Sequence, residues 1–356
     1  MNPYDFVRVD WDRPPQRGPY APHDRFAGWT GYLDCRLTAE TPLFIPQQRT
    51  SSSRTAANTP TPFISNGVGQ HIVPGSSLKG MLRGLVETLG PGCWRIFDGD
   101  YKDETSARTP IPLPTPFQPC RYLDHLCLAC RLFGLIGRGR DPSLVGKVSI
   151  GDATSDADAI VPHEPVFTPI LGGPKPRHTS WYTDTTTGRP AGRKYYFHQA
   201  ELRTDNALRK TKGDRVLNAY IRPLGLNSAF TFRVRFVSLM DDELALLVYV
   251  IALEDAMRHK IGFAKPAGFG SVRITIQGVQ WQRMDARYRG ERQNPLEPDA
   301  VNAFVAEQSA SAKTRIPMLS LTDLQRIWRW PSRGQYMYPD QDWFAANPTT
   351  PISGTP

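Results

Sequence analysis

The sequence predicts an α+β fold with a ferredoxin-like core that carries large insertions. Segments with the period of a strand and segments with the period of a helix follow one another along the chain. Their order is strand, helix, strand, strand, helix, strand, which is the order of a ferredoxin-like domain. The stretches between them are rich in proline, basic residues or cysteine, as expected of long ordered insertions.

The first strand is predicted at Gly31–Ile45, where Tyr32, Asp34 and Arg36 alternate with apolar neighbours. One of those neighbours is Cys35, which we therefore expect to be a core residue rather than a ligand. The strand is followed by a polar loop, residues 47–62.

The first helix is predicted from about Leu78 to Leu89 and ends before Gly90 and Pro91. Ser76 or Ser77 is expected to cap its start, because a serine hydroxyl accepts a hydrogen bond from the first turn. Apolar residues recur on one side of this helix and predict a buried face.

Two further strands and a second helix complete the predicted core, followed by a last strand. The strands are predicted at Val145–Ala153, Ala229–Val237 and Ser271–Val279, and the helix from Asp241 to about Lys260. Acids at the start of that helix and bases at its end suit the helix dipole; the bases are Arg258, His259 and Lys260. The helix is apolar almost all round, so we expect it to be buried.

These elements predict a domain plan. Residues 1–28 form an N-terminal arm, residues 29–284 the core, and residues 285–356 a C-terminal extension with helices near Pro298–Glu307 and Leu319–Trp330. Within the core, residues 92–140 form a cysteine-containing insertion and residues 162–215 a basic insertion.

The composition narrows the class of partner and the compartment. Lys and Arg number 43 against 34 Asp and Glu, a net charge of +9, which favours a polyanionic partner but is shared by many proteins that bind no nucleic acid. No apolar run reaches the roughly 20 residues that span a membrane, and the N-terminus has no apolar signal-peptide region. We expect a cytoplasmic, reducing location, where cysteines are thiols or metal ligands.

The segment Pro74–Arg83 is the first candidate for binding phosphate. Its Gly-Ser-Ser turn opens a helix, which exposes backbone N–H groups of residues such as Ser76 and Ser77 to an anion. Lys79 and Arg83 lie four residues apart and share a helix face. No Asp or Glu occurs between Glu40 and Glu87, and Arg49 and Arg54 lie in the same stretch. The alternative is a capped surface helix with solvated bases.

The second candidate is the glycine-rich segment Gly262–Ser271. Its glycines permit a positive φ and close approach of the backbone to a ligand; they are Gly262, Gly268 and Gly270. Donors are supplied by His259, Lys260 and Lys265. Plain turns and mononucleotide sites also use such loops, so this segment alone is weak evidence.

The cysteine-containing insertion predicts a structural zinc site. Cys127 and Cys130 are separated by two residues, a spacing that lets both thiolates bind one tetrahedral ion, and Cys120 precedes them. The fourth ligand is Cys93 or, alternatively, His125. Zinc would stabilise an insertion too small to bury a core of its own. The alternative is a set of buried free thiols.

Together these segments resemble the RAMP superfamily, the repeat-associated proteins that build the backbone of type III CRISPR effectors. The resemblance is carried by Pro74–Arg83, the run Cys127–Gly134 and the loop Gly262–Gly270, and also by Tyr4–Val7 and the late Tyr338–Pro339. It covers roughly residues 1–340 with dissimilar insertions. Each piece alone is unspecific, whereas their conjunction is fairly specific.

The resemblance implies a core related to RNA-recognition modules, a zinc knuckle, and a guide RNA backbone held by the basic helix start and the glycine loop. It also implies a thumb-like β-hairpin in the basic insertion, at 174–215, where Arg193 and Lys194 are candidate contacts and aromatic residues interleave with the bases. Implied partners are guide RNA, complementary target RNA and other CRISPR effector subunits in a filament.

Catalysis is less well supported by the sequence. Some RAMP subunits cut target RNA with an Asp on the loop after the first strand, but residues 47–62 contain no carboxylate to bind a metal ion. We therefore expect a non-catalytic subunit with no catalytic residue. An active RAMP endoribonuclease that cuts target or precursor guide RNA, and a zinc-stabilised structural module of another assembly, remain as alternatives.

Overall fold

The structure, a computed structural model, describes residues 2–20, 26–47, 59–95, 113–137, 139–155, 157–171, 182–184, 186–204, 211–212, 215–216, 218–339, 343 and 346–347. The strands are β1 Tyr4–Val7, β2 Trp29–Ala39, β3 Ile72–Val73, β4 Gly134–Leu135, β5 Leu144–Val145, β6 Val148–Ile150, β7 Ala153–Thr154, β8 Val166–Phe167, β9 Arg193–Tyr196, β10 Thr211–Lys212, β11 Arg215–Val216, β12 Tyr220–Ile221, β13 Ala229–Leu239, β14 His259–Lys260 and β15 Ser271–Arg283. The helices are α1 Gly75–Leu89, α2 Leu128–Phe133, α3 Asp241–Ala252, α4 Met284–Tyr288, α5 Pro298–Lys313 and α6 Met318–Ile327.

A curled antiparallel sheet forms the centre of the molecule. Its strands follow the order β14-β15-β2-β13-β7-β3, and β6 pairs with β13 beside β7. Because β2 is antiparallel to both β13 and β15, those two strands run parallel to each other with β2 between them. The chain passes from β13 to β15 through α3, and from β2 to β6 through α1.

The sheet has an apolar face and a basic face. On β2, Leu33, Cys35 and Leu37 are buried, which confirms Cys35 as a core residue, whereas Arg36 between them is exposed. Helices α1 and α3 contact each other and the same sheet. Since α3 also packs against α5, it is enclosed on several sides, which explains why its sequence is apolar almost all round.

The second predicted helix is shorter than its sequence suggested. It ends at Ala252, and the next residue, Leu253, takes a left-handed φ of 56° that turns the chain out of the helix. His259 and Lys260 belong instead to β14, which pairs with β15. The prediction that these bases lie at a helix C-terminus is therefore wrong.

The start of α1 also differs from the prediction. The helix begins at Gly75 and neither serine caps it. Instead the Gly75 N–H donates a hydrogen bond of 2.7 Å to Asp152 Oδ1, from the turn between β6 and β7. A Cβ on residue 75 would meet Ile150 O, so glycine permits this close approach. A carboxylate therefore already occupies part of the site predicted for phosphate.

Strand β1 and helix α6, near the two ends of the described chain, contact each other and the body of the molecule. β1 pairs with β9, so the predicted N-terminal arm is part of a two-stranded ladder. Asp323 of α6 accepts hydrogen bonds from the Arg8 N–H and guanidinium, all at 2.9 Å. Within the described ranges, no helix combines the length and the apolar character required to span a membrane.

The Asp152 contact predicts a measurable loss of stability. Asp152→Ala removes the acceptor for the first N–H of α1 and should lower the free energy of unfolding by about 1 kcal/mol. Urea denaturation followed by circular dichroism measures this. The matched control is Glu307→Ala, an exposed acid within α5. Equal unfolding midpoints for the two variants would contradict the assigned role of Asp152.

Candidate functional site

A cleft of about 590 Å³ lies between α1, β9 and the glycine-rich segment, and is called the central cleft here. Its walls are formed by Ile45 and Pro46, by Ser77, Gly80, Met81 and Gly84 of α1, by Lys194, Tyr195 and Tyr196 of β9, by Lys260, Ile261, Gly262, Phe263 and Lys265, and by Trp328. The structure thus brings the two segments singled out in the sequence to facing walls of one cleft.

The central cleft is lined by positive charge. Lys194 and Lys265 contribute ammonium groups, Lys260 lies buried behind them, and none of the described residues in its walls is Asp or Glu. Lys194 Nζ lies 3.7 Å from the ring centre of Tyr4 and 4.9 Å from that of Tyr196, so aromatic faces hold it in place. Lys265 Nζ donates to Gly262 O at 2.7 Å. An anion in this cleft meets cations that are already positioned.

Lys260 belongs to a buried polar network behind the cleft. Its Nζ donates to Ser271 Oγ at 2.9 Å and to Gly268 O at 3.2 Å, and His198 Nδ1 lies 2.8 Å from the same hydroxyl. Burial lowers the pKa of Lys260 to about 7, and the charge of Lys265 adds to this effect. Burial likewise holds the pKa of His198 well below its usual value, so its ring is neutral.

The α1 wall of the cleft includes two positions without a side chain. Gly80 and Gly84 lie on it one turn apart, and a Cβ added to either would meet no atom within 4 Å. Glycine inside a helix costs up to about 1 kcal/mol relative to alanine, so two at this spacing are a signal that the sequence prediction missed. The Gly84 carbonyl accepts a hydrogen bond of 3.0 Å from the Tyr195 hydroxyl.

The glycines of the second segment serve the fold more than a ligand. Gly262 has φ +91°, and an added Cβ would lie 2.5 Å from Phe44 O. Gly270 has φ +74°, and an added Cβ would collide with Ile261 O. Their positive φ therefore lets the loop approach its own protein backbone, whereas close approach to a ligand had been expected.

The cysteine cluster is a candidate metal centre. The sulfurs of Cys93, Cys120, Cys127 and Cys130 all lie within 4.8 Å of one another and are buried. Cys93 and Cys130 are 3.7 Å apart, close to the edge of about 3.8 Å expected for a tetrahedron with Zn–S bonds near 2.3 Å. Hydrogen bonds from Cys120 and the other two thiols hold the pKa of Cys127 well below its usual value. Cys93 completes the cluster, whereas His125 is exposed.

Arg83 and Arg193, both predicted as RNA contacts, lie against this cluster. Arg83 donates to Cys130 Sγ at 3.4 Å and to Gly134 O at 2.7 Å. Arg193 donates to the carbonyls of Gly92 and Cys93, each at 3.0 Å. Four thiolates around Zn²⁺ carry a net negative charge, so these guanidiniums suit the surroundings of such a centre.

The remaining predicted contacts are spread more widely. His259 is buried, its Nε2 lies 2.8 Å from Val250 O, and burial lowers its pKa to about 4. Ser76 is exposed and Lys79 half-buried, and both lie outside the cleft walls, as do Gly268 and Gly270. Arg49 and Arg54 lie outside the described residues, as does much of the basic insertion.

Comparison with known proteins identifies a family relationship. A family model described as the RAMP superfamily matches residues 36–273, which include α1, the cysteine cluster and the glycine-rich segment up to β15. A search of the curated proteins finds no match.

The cysteine geometry predicts about one zinc ion per chain by elemental analysis. Cys127→Ser should lose the metal, because a serine hydroxyl is a poor replacement for a thiolate ligand. The matched control is Cys35→Ser, which changes a buried cysteine of β2 and should retain zinc. Equal zinc contents in the two variants would rule out the assigned ligand set.

The burial of Lys260 predicts pH-dependent stability. Its pKa falls from 10.5 in the unfolded chain to about 7 in the folded protein. Between these values the unfolded chain binds an additional proton, so the free energy of unfolding should rise with pH, with a slope that approaches about 1.4 kcal/mol per pH unit. The stability gained at alkaline pH is therefore lost as the pH falls towards 7.

Lys260→Met should remove that slope, because methionine keeps the side chain without its proton. Urea midpoints measured from neutral to alkaline pH test this. Lys313→Met, at an exposed lysine of α5, should retain the wild-type slope. A Lys260→Met variant with the wild-type slope would contradict the assignment.

Proposed function

Because the chain belongs to the RAMP superfamily, we propose that it is a guide-RNA-binding backbone subunit of a type III CRISPR effector ribonucleoprotein, acting in antiviral defence in the cytoplasm. The observation that carries this proposal is the central cleft, where α1 and the glycine-rich segment form facing walls and Lys194 and Lys265 supply positive charge. RAMP proteins are generally associated with CRISPR RNA binding, and this cleft is suited to an RNA backbone.

The cleft suits a backbone better than a particular base sequence. Ammonium groups are point charges that attract phosphate without reading sequence. The bare surface at Gly80 and Gly84 lets a strand approach the helix closely. Phe263 and Tyr196 offer rings on which bases can stack. A subunit that must hold guides of any sequence requires this combination.

The fold supports the same proposal. Strands β15, β2, β13 and β6 stand in the order of a ferredoxin-like, RRM-like sheet, with α1 and α3 packed together as its two crossovers. Strands β10 and β11 pair as a short hairpin within the basic insertion, at the position we assign to the thumb. The domain boundaries at residues 28 and 284 rest on this correspondence.

We assign a structural Zn²⁺ to the four cysteines. Bound there, the ion supplies four metal–sulfur bonds that fasten α2 to the segment around Cys93. Arg83 then ties this centre to α1, and Arg193 ties it to β9. Both elements are walls of the central cleft, so the centre would act by positioning them.

The proposal assigns no RNA cleavage to this subunit. Residues 47–62 contain no carboxylate. Glu40, directly after β2, is bound by Arg258 and Arg273, each at 3.0 Å. An acid neutralised by two guanidiniums is a poor metal ligand or base. Target RNA would be recognised through pairing with the guide, while other subunits of the filament continue the track.

The central cleft predicts weaker guide retention when the charges of the exposed Lys194 and the half-buried Lys265 are removed. Lys194→Ala combined with Lys265→Ala should lower the salt-dependence slope of RNA binding by about 1.4, at about 0.7 for each phosphate that the variant no longer neutralises. Filter binding of short single-stranded RNA over a salt series measures the slope. The amount of short RNA that co-purifies with the assembled complex should fall in parallel.

The matched control is the pair Arg140→Ala and Arg292→Ala, which removes two exposed positive charges outside the cleft walls. This pair should bind RNA like the wild type. Equal reductions of the slope in the two double variants would show that net charge alone attracts RNA. A complex that purifies with its neighbouring subunits and carries no discrete short RNA would sink the proposal itself and favour a structural role.

A further inference from the structure

A second cleft, of about 440 Å³, lies in the C-terminal extension and is called the C-terminal cleft here. Three arginines and three aromatic residues contribute to its walls; they are Arg326, Arg329, Arg333, Phe197, Trp330 and Tyr336. All but Phe197 lie beyond residue 273, where the family match ends. Most of its walls therefore lie outside the residues that the family model matches.

The charges of the C-terminal cleft are only partly neutralised. Arg326 Nη2 donates to Asp5 Oδ2 at 2.7 Å. Arg329 and Arg333 are exposed, and in the described part of the chain no acidic side chain is bonded to either of them. None of the described residues in the walls is Asp or Glu. Two guanidiniums at a concave site suit a phosphate, which they can bind in a bidentate manner.

The aromatic residues specify the ligand further. Phe197 and Tyr336 stack on each other with ring centres 4.3 Å apart and planes at 8°, which fixes both rings. Trp330 lies edge-on to His198 at 5.4 Å and is half-buried. Stacking of a base on an aromatic ring contributes roughly 1–3 kcal/mol. The planar rings suit the base of a nucleotide. The guanidiniums of Arg329 and Arg333, which no described acid neutralises, suit its phosphate.

The C-terminal cleft adjoins the central cleft. Tyr196 lines the central cleft and the next residue, Phe197, lines the C-terminal one. At the end of α6, Trp328 lines the central cleft, whereas its neighbours Ile327 and Arg329 line the C-terminal cleft. The two clefts are therefore lined by consecutive residues at two places in the chain.

From this arrangement we propose that the C-terminal cleft binds a nucleotide of single-stranded RNA, with Arg329 and Arg333 on the phosphate and Trp330 or Tyr336 against the base. It is a second site with its own charged and aromatic groups. It does not require that the RNA be a CRISPR guide, so it can be tested apart from the proposed function.

The test uses the full-length protein and a short single-stranded RNA oligomer. Arg329→Ala combined with Arg333→Ala should lower the salt-dependence slope by about 1.4, at about 0.7 for each phosphate that is no longer neutralised. Ultraviolet crosslinking followed by mass spectrometry should place RNA on the peptide that contains Trp330 and Tyr336, and the double variant should lose that crosslink. The pair Arg140→Ala and Arg292→Ala, with the same change in net charge, should keep both the slope and the crosslink.

Independence from the central cleft is tested in the Lys194→Ala, Lys265→Ala background. The crosslink at Trp330 or Tyr336 should persist there. Its disappearance would show that the extension only touches RNA held elsewhere, and would overturn a separate site. If the purified complex carries no guide but added RNA still crosslinks to this peptide, the proposed function fails and this site stands.

Competition identifies the ligand chemistry. A nucleoside 5′-monophosphate that displaces the crosslink would show that a single free nucleotide suffices, whereas persistence would assign the site to a strand, and both results support nucleotide binding. Polyglutamate that displaces RNA equally well at matched charge would overturn the proposal, since the cleft would then respond to charge alone. Absence of any crosslink at the peptide, with an unchanged slope, would also overturn it.

Discussion

The rest of the site depends on the ion pairs that the Glu87 carboxylate makes with two arginines. The carboxylate accepts from Arg83 Nε at 2.8 Å and from Arg193 Nη1 at 3.3 Å, and so joins α1 to β9. Both arginines also reach the cysteine cluster. The three side chains are mostly buried, and removing one partner from such a group leaves an uncompensated charge in a poorly solvated place. One anion thereby holds two walls of the central cleft and the edge of the cysteine cluster in a single arrangement.

The arginines and lysines of this protein therefore have two kinds of role. Arg83, Arg193 and Arg8 have carboxylates, carbonyls or sulfur as partners and belong to the framework. Lys194 and Lys265 face the central cleft with rings and carbonyls around them but no described acid in its walls. The net charge of +9 counts both groups alike. Only the partners of each cation separate those that can bind a polyanion from those that hold the fold.

Short-range sequence patterns correctly predicted features that depend on neighbouring residues, such as a strand, a helix end and a pair of cysteines. The alternation around Cys35 predicted the central strand, and Gly90 and Pro91 predicted the end of the first helix at Leu89. The spacing of Cys127 and Cys130 predicted a cluster with Cys93 or His125 as its fourth member, and the structure places Cys93 there, 34 positions before Cys127. The two-residue spacing works because it places both sulfurs at the start of one short helix, α2.

What the sequence missed depends on distant partners. Gly75 is bonded by Asp152, 77 residues away, so the adjacent serines were a reasonable but wrong choice of cap. Arg83 turns towards Cys130, 47 residues away, and not to the face it shares with Lys79. In the same way, the positive φ of Gly262 serves Phe44, a residue of another segment. Composition and spacing identified the right segments, but could not say whether a base or a glycine in them serves a ligand or the protein itself.

The two clefts show how a group that serves a ligand differs from one that serves the fold. The walls to which we assign ligand binding carry groups whose interactions within the protein are incomplete: helix surface without side chains at Gly80 and Gly84, and guanidiniums at Arg329 and Arg333 without a bonded acid among the described residues. A structural wall carries groups whose interactions are complete, such as the Lys147–Glu243 pair at 2.7 Å in the core. Incomplete polar groups cost little at a solvated cleft and much in a core, because water satisfies them until a ligand replaces it. By this criterion the C-terminal cleft is a candidate ligand site of the same kind as the central cleft, which is why we propose a nucleotide there.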